Sequence, residues 1–395
     1  MKIQLRHFKI YRRLMSRFRF KWFEGEALHS DCPWAIFLAC FFILSCTRGA
    51  VPVVAIAINP THPDVVYLAT LDAIYKTRDG GDHWKAVNTG MSTYRVLSLL
   101  VDPNIPTVLY AGTNIDSVYK STDGAISWNI ANAGMKEHIA IVNNFAVDPR
   151  NPQTIYTATT VGVFKTTNGA MMWDDMSIGF ESYYVVSVII DPQNSNILYA
   201  GTSGGVYKST DGAKNWHTVN RGMIEETQVA SAMALGVNAL AINPKSINIL
   251  YAGTTRGLYK STDGAESWTF VKGELEKAFI SNLVVDYQEP RTLYAGTAQG
   301  IFKSSNEGQN WTLISQGITN LNVRSLVMHP NDHQVLYAGT NNGIYKTTDG
   351  GTTWKALPIL EEKSPPQLSG RDTSEYKRSF LQSDLRIAAR EARAL

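Results

Sequence analysis

Cysteine is almost absent from this chain. The 395 residues include three, Cys32, Cys40 and Cys46, and none follows position 46. Everything downstream therefore lacks disulfides, thiol catalysis and cysteine-based metal sites. A domain there must be held by its own hydrophobic core.

Long apolar runs and an excess of basic residues are also missing. The longest run, from Pro33 to Leu44, has twelve residues, whereas a membrane-spanning helix needs roughly 20. Residues 51–359 carry 21 Lys and Arg against 25 Asp and Glu. A mildly acidic domain of this kind disfavours nucleic acid as a partner.

The first 50 residues predict an export leader. Eight Lys and Arg precede the apolar run, which is the order of a signal peptide. The segment Ile43 to Cys46 resembles a bacterial lipobox, which would make Cys46 the lipidated first residue. The alternative is an ordinary signal peptide cut between Arg48 and Ala50. Either way we expect an extracytoplasmic protein that touches a membrane only through an N-terminal lipid or an uncleaved signal.

Seven tryptophans mark an internal repeat. Their intervals are 44, 45, 43, 52, 43 and 43 residues, which suits one four-stranded propeller blade per repeat. An aromatic residue stands nine positions before each tryptophan and is always followed by Lys, and we interpret these seven lysines as solvated residues of the rim. The seven tryptophans are Trp84, Trp128, Trp173, Trp216, Trp268, Trp311 and Trp354.

Each repeat predicts four short strands, which we letter a to d. Strand a is an apolar run such as Val96 to Val101, ended in most repeats by a proline that cannot donate to a ladder. The LYAGT segment gives strand b, GVYKS gives strand c, and strand d begins at the tryptophan. The fold class is therefore all-β, a single seven-bladed β-propeller over residues 51–359, with four antiparallel strands per blade.

Closure of the ring should rest on packing between blade faces. Repeat 1 already begins with strand a, and repeat 7 already ends with strand d. No strand needs to be exchanged between the ends of the domain. Residues 360–395 read as a polar linker followed by a short C-terminal helix over 383–395.

A box precedes every tryptophan, as in KSTDGAKNW from Lys208 to Trp216. This pattern resembles the Asp-box, or BNR repeat, and with LYAGT and GVYKS it is similar to the sortilin-like branch of that superfamily. The same repeats occur in xyloglucanase-type glycoside hydrolases and in the photosystem II assembly factor. We expect the Asp or Asn side chain of each box to form a turn, not to bind calcium. They are Asp79, Asp123, Asn168, Asp211, Asp263, Asn306 and Asp349.

The residues favour a binding module over an enzyme. Hydrolysis of a glycoside needs two carboxylates in defined roles, and the acids of this chain form no evident pair. If the protein were a hydrolase, its acids would come from the d-to-a loops. Those acids are Glu137, Glu181, Glu225 and Glu226. No cofactor and no metal site is expected, because the histidines lack ligand spacing.

The loops from d to a and from b to c surround one mouth of a propeller channel, and we call this end the loop face. The d-to-a loops carry aromatic and arginine side chains, which are good anchors for a protein or a polysaccharide. The predicted function is an exported, monomeric, non-catalytic scaffold that binds such a ligand there. The predicted ligand residues are Tyr94, Arg95, His138, Tyr183, Tyr184, Phe279 and Arg324.

Overall fold

The computed structural model describes residues 51–92, 95–135, 140–181, 184–223 and 235–359. Within these ranges the chain forms seven antiparallel sheets of four strands each and no helix. None of these residues therefore belongs to a helix long and apolar enough to cross a membrane. The predicted leader, Cys46 and the segment 360–395 lie outside the described residues.

The strands follow the order a, b, c, d in every blade. The a strands are β1 (Val53–Ile58), β5 (Val96–Val101), β9 (Val142–Val147), β13 (Val185–Asp191), β17 (Val237–Ile242), β21 (Ile280–Val285) and β25 (Val323–Met328). The b strands are β2 (Val66–Thr70), β6 (Leu109–Thr113), β10 (Ile155–Thr159), β14 (Asn194–Thr202), β18 (Leu250–Thr254), β22 (Leu293–Thr297) and β26 (Leu336–Thr340). The c strands are β3 (Ile74–Thr77), β7 (Val118–Ser121), β11 (Gly162–Thr166), β15 (Gly205–Ser209), β19 (Gly257–Ser261), β23 (Gly300–Ser304) and β27 (Gly343–Thr347). The d strands are β4 (Lys85–Ala86), β8 (Asn129–Ile130), β12 (Asp174–Asp175), β16 (His217–Thr218), β20 (Thr269–Val271), β24 (Thr312–Leu313) and β28 (Lys355–Leu357).

The a strands form the inner ring. Each a strand contacts the a strand of the next blade, and β25 contacts β1. The predicted seven-bladed, all-β propeller is thus confirmed, and it closes without exchange of a strand. Strand d is shorter than the sequence suggests, because it begins one residue after the tryptophan and has only two or three residues.

The core lies between the blades. The tyrosine of strand b and the tryptophan that precedes strand d are buried in all seven repeats. At the closing seam, Val53 and Trp84 of blade 1 share one apolar cluster with Tyr337 and Leu357 of blade 7. Neighbouring sheets therefore bury the faces that no single sheet could bury alone.

The lysine that follows the aromatic residue of strand c is not a solvated rim residue, and that interpretation is wrong. Each Nζ lies 5.1 to 5.8 Å from the ring of the strand-b tyrosine in its own blade. Each also donates to a box carbonyl of the next blade, at 2.7 to 3.2 Å. The side chain of Lys208 is only 12% exposed. We call this contact the lysine latch; its members are Lys76, Lys120, Lys165, Lys208, Lys260, Lys303 and Lys346.

The indole N–H groups add a second tie between blades. Trp128, Trp173, Trp216, Trp268 and Trp354 donate to a carbonyl just after strand d of the preceding blade, at 2.7 to 2.8 Å. Trp311 instead donates to Gly308 within its own blade. The indole nitrogen of Trp84 has no hydrogen-bond partner among the described residues, although it is buried.

Candidate functional site

Three of the predicted ligand residues occupy the same place in three blades. Arg95, Tyr184 and Phe279 each stand directly before an a strand. The carbonyl of each accepts a hydrogen bond, at 3.2 to 3.3 Å, from the first residue after strand b of the same blade. The d-to-a and b-to-c loops therefore meet at these residues, on the predicted loop face.

A β-bulge occurs at this end of every a strand. The second residue of the strand has no partner in strand b, so the pairing register skips it in all seven blades. A bulge re-aims the side chain of the extra residue. The seven half-buried bulge residues encircle the inner ring, and we call them the bulge ring: Val54, Leu97, Asn143, Val186, Asn238, Ser281 and Arg324.

Three polar members of the bulge ring bind the next blade. The amides of Asn143 and Asn238 donate to the first carbonyl of the following a strand, at 2.8 and 3.1 Å. The hydroxyl of Ser281 makes the equivalent bond to Val323 at 2.7 Å. These bonds fix the diameter of the channel mouth by joining its lining strands directly.

Arg324 is the charged member of the bulge ring. Its Nε donates to the side-chain oxygen of Asn341, 2.8 Å away, in the b-to-c loop of the same blade. This bond fixes the guanidinium near the end of the inner strand and limits the rotamers that the side chain can adopt. Arg324 was predicted from the sequence as a ligand residue, but the ring to which it belongs was not.

The signal for the ring is present in the sequence. A Val or Ile begins each a strand, and a small or amide residue stands two positions later, as in Val237-Asn238-Ala239 and Val323-Arg324-Ser325. Between them is the bulge residue. A strict two-residue alternation hides this pattern, because the bulge shifts the register by one.

A hydrogen-bonded cluster stands beside Arg95 on the loop face. The hydroxyls of Ser92 and Tyr119 both donate to the carboxylate of Asp116, at 2.7 Å. Burial raises the pKa of Tyr119, so the phenol stays protonated. This tyrosine is a hydrogen-bond donor and is poorly suited to act as a nucleophile.

The remaining loop-face predictions cannot be placed together. Tyr94, His138 and Tyr183 lie outside the described residues, as do Glu137, Glu225 and Glu226. Glu181 is described and exposed, and its backbone N–H donates to the hydroxyl of Tyr207 at 3.3 Å. Groups of three or more metal-ligating side chains are absent from the described ranges.

All seven box side chains accept hydrogen bonds within their own turn. In blade 4, Oδ1 of Asp211 accepts from the hydroxyl of Ser209 at 2.9 Å and from the N–H of Asn215 at 3.0 Å. Its Oδ2 accepts from the Asn215 amide at 2.7 Å. The side-chain bond from Asn215, followed by the backbone bond, lowers the pKa of Asp211 to about 2. The structural role of the boxes remains a prediction, and this geometry is consistent with it.

A serine or threonine hydroxyl in each box bonds both to the box Asp or Asn and to a buried backbone N–H of the same turn. The hydroxyl of Ser209 accepts the buried N–H of Ala213 at 3.0 Å while it donates to Asp211. Ala213 has a φ of 73°, and the preceding Gly212 has a φ of 74°. The box is therefore a left-handed turn whose buried amide is paired by a side chain.

Comparison with known proteins agrees with this geometry. The Sortilin-Vps10 family, described as "Sortilin, neurotensin receptor 3", matches residues 256–364. This match covers about a quarter of the chain, in the last part of the propeller. The resemblance expected from the boxes is thus confirmed. No curated protein sequence matches the chain.

Among solved structures, the GH74 xyloglucanase from Xanthomonas campestris has a TM-score of 0.63 at 15% identity, over 79% of this chain and 55% of that one. An ancestral GH74 enzyme has a TM-score of 0.63 at 20% identity, over 82% of this chain and 49% of that one. YCF48 bound to D1 peptide has a TM-score of 0.56 at 16% identity, over 76% of this chain and 94% of that one. This propeller thus spans about half the length of the two GH74 enzymes. At these identities the likeness concerns the fold alone.

Proposed function

We propose that this chain is an exported, monomeric, non-catalytic propeller that binds a protein or a polysaccharide through its loop face. The observation that carries the proposal is the bulge ring, which gathers seven half-buried side chains at one mouth of the channel. Three of them are already hydrogen-bonded to the next blade. A ligand that contacts these three side chains meets groups that are already held in place, which lowers the entropy cost of association.

The chemistry of this mouth suits recognition better than bond cleavage. Arg95 and Arg324 supply guanidinium groups, and Tyr184 and Phe279 supply aromatic surface around the apolar members of the bulge ring. Such side chains dominate the energetic centres of binding sites. A glycosidase needs an acid and a base within about 10 Å of each other. Glu181, the candidate acid among the described residues, is exposed, and the hydrogen bond at this position comes from its backbone N–H, which donates to Tyr207.

Two further facts support a single-propeller binder. YCF48, whose structure was solved with a D1 peptide bound, is matched over 94% of its length. The GH74 enzymes extend well beyond the part that this chain matches. The leader predicts that binding takes place outside the cytoplasm. Mass spectrometry of the mature N-terminus would distinguish an acylated Cys46 from a start near Val51.

A peptide array and a glycan array, probed with the purified chain, test the proposal. The triple variant Arg95→Ala, Tyr184→Ala, Arg324→Ala should bind the hits about tenfold more weakly, because anchors of these types carry most of the affinity of a site. The matched control replaces three exposed side chains on or just before d strands by Ala: Lys214, His217 and Lys355. It should bind as the parent does.

The same glycan array separates the alternative function. Release of reducing ends at enzyme-like rates, lost on replacement of Glu137, Glu181, Glu225 or Glu226 by Gln, would establish a hydrolase. Undiminished binding by the triple variant would show that the ligand sits elsewhere. Thermal unfolding of each variant confirms that a loss of binding is not a loss of fold.

A further inference from the structure

Two adjacent blades differ from the other five at their boxes. The two residues directly before the tryptophan are mostly polar in the chain: Asp82-His83, Lys214-Asn215, Glu266-Ser267, Gln309-Asn310 and Thr352-Thr353. Blade 2 has Ile126 there, and blade 3 has Met171 and Met172. Packing within the propeller does not require apolar side chains at these positions, because five sister blades do without them.

These side chains belong to a larger apolar surface, the apolar rim. It comprises Ile126, Ile130, Met171, Met172 and Ile178, which are 50 to 75% exposed. The sulfur of Met172 lies 3.1 Å from where a side chain at Gly134 would begin, so the blade 3 box overlies the chain of blade 2. The latch from Lys120 to Gly169 joins the two boxes further. A cluster of large exposed apolar side chains on a soluble domain indicates a contact surface.

The charged side chains next to Ile126 and the two methionines of the apolar rim are negative, whereas Lys214 of blade 4 lies on the side of Ile178. Asp174 and Asp175 form the exposed strand β12, between Met172 and Ile178. Asp123 lies three residues before Ile126, and the hydroxyl and N–H of Ser127 keep its pKa low, at about 2. The nearby cations Lys120 and Lys165 are engaged in latches to the next blade. An occupant of the apolar rim should therefore combine apolar and basic side chains.

The chain carries such a segment after the propeller. In residues 383–395, SDLRIAAREARAL, helical spacing places Leu385, Ala388, Ala392 and Leu395 on one side. At the same spacing Arg386, Arg390 and Arg393 lie along one flank of this side, and Asp384 and Glu391 lie along the opposite flank, so the segment has a basic edge. Thirteen residues are too few for a stable isolated helix, so such a helix needs a surface to pack against.

The linker is long enough to reach. Residues 360–382 number 23, for which a flexible chain has an end-to-end distance of roughly 26 Å and an extended one about three times that. The linker begins after blade 7, and blade 2 is the second blade onward around the ring. We propose that residues 383–395 dock as an amphipathic helix on the apolar rim of blades 2 and 3.

Methionine oxidation gives a footprint of this contact. Exposed methionines are converted to sulfoxide by peroxide, and coverage slows the reaction. In the full chain, Met171 and Met172 should oxidise about fivefold more slowly than in a variant that lacks residues 383–395. Trypsin yields one peptide, 166–208, that also contains the half-buried Met176, whose rate should not change.

Charge reversal tests the same contact without shortening the chain. The variant Arg386→Glu, Arg390→Glu, Arg393→Glu should match the deletion, because repulsion from Asp174 and Asp175 replaces attraction. The control reverses three linker charges, Arg371, Lys377 and Arg378, and should oxidise like the parent. Conversely, Ile126→Asp with Met171→Asp should speed tryptic cleavage at Arg386. The control Gln309→Asp with Thr352→Asp, at the same exposed box position in blades 6 and 7, should not.

Two results would overturn the proposal. Equal oxidation of Met171 and Met172 with and without residues 383–395 would show that the segment does not cover the apolar rim. Protection that survives the deletion but disappears on dilution would show that a second copy of the chain covers it instead. Both results leave the loop face untouched, so neither bears on the proposed ligand site.

Discussion

At the scale of single residues, one histidine replaces a turn-forming side chain. The turn after strand a is capped in six blades by an Asp or Asn, whose oxygen accepts one or two backbone N–H groups. In blade 7 the residue is His329, and its Nδ1 accepts from Asn331 at 3.2 Å and Asp332 at 3.0 Å. Because a backbone amide can only donate, Nδ1 must carry no proton in the folded state.

Acid should therefore weaken this turn. Burial lowers the pKa of His329, outweighing the opposing effect of Asp332 and Asp64, while Lys346 lowers it further. The unfolded chain, with a histidine pKa of about 6.5, then binds a proton more readily than the folded chain. The stability contributed by this site is complete above that pH and is lost as the pH falls below it.

The variant His329→Asn keeps the capping acceptor but does not titrate. Between about pH 7 and about pH 5 the parent should lose more free energy of unfolding than the variant does, in denaturant titrations. His217→Asn, on the exposed strand β16, is the control and should follow the parent. Parallel curves for parent and His329→Asn would show that the ring does not titrate in this range.

Residue roles that depend on contacts between blades could not be predicted from the sequence. The sequence of the box predicts a turn because the hydrogen-bond partners of its Asp or Asn lie within the same nine residues. The seven lysines were misinterpreted, since their partners are about 47 to 58 residues away along the chain in most blades. A lysine beside an aromatic residue has the same local sequence whether it points to water or to the next blade.

At the scale of elements, the segment after strand d joins neighbouring blades by close backbone contact. Gly134 has a φ of 91°, and a Cβ there would lie 2.0 Å from the carbonyl oxygen of Trp173 in blade 3. Trp173 itself donates to Ala133 through its backbone and to Ala131 through its indole, both at 2.8 Å. A side chain at position 134 would push these partners apart.

Gly134→Ala should therefore destabilise the propeller by roughly 2 to 4 kcal/mol, from a strained φ, a displaced carbonyl and weakened hydrogen bonds. Gly273 is the matched control, because its φ is 112° and nothing lies within 4 Å of the place that a Cβ would occupy. Gly273→Ala should cost only the backbone strain, about 1 to 2 kcal/mol. Urea titrations measure both, and equal losses would refute the close-contact argument.

Strands were predictable where their limits are local. The a strands end where an apolar run meets Asp, Asn or His, followed by Pro in six blades, and the b and c strands coincide with the repeated LYAGT and GVYKS segments. Val96–Val101 and Leu250–Thr254 agree with this pattern. Strand d was overextended, because the side chain of the tryptophan packs between blades while its backbone N–H bonds to the preceding blade. The bulges were missed because the extra residue keeps the composition of a strand and changes only its register.

At the scale of the whole molecule, the ring closes through the seam between blades 7 and 1, which has no d-to-a connection across it within residues 51–359. Tyr337 and Lys346 of blade 7 donate to the carbonyl of Gly80 in blade 1, at 3.0 and 3.1 Å. Gly339 packs against Val53 as the corresponding glycines do in other seams. The buried indole nitrogen of Trp84 lacks a partner among the described residues, whereas five sister tryptophans bind the preceding blade.

This seam should open first. Between other blades, a d-to-a connection keeps the two faces at a high effective concentration after they part. The chain connects blades 7 and 1 only by way of the other five blades. Amides of β1 and β25 should then exchange hydrogen sooner than those of β13 and β17.

Lys346→Met should speed exchange in β1 and β25 about tenfold, because it removes a charged donor from the closing latch. Lys165→Met, which removes the same latch between blades 3 and 4, should have a smaller effect on β9 and β13, since the chain itself holds those blades together. Equal acceleration of exchange by the two substitutions would contradict this prediction. It would mean that the seam between blades 7 and 1 is no less stable than the seam between blades 3 and 4.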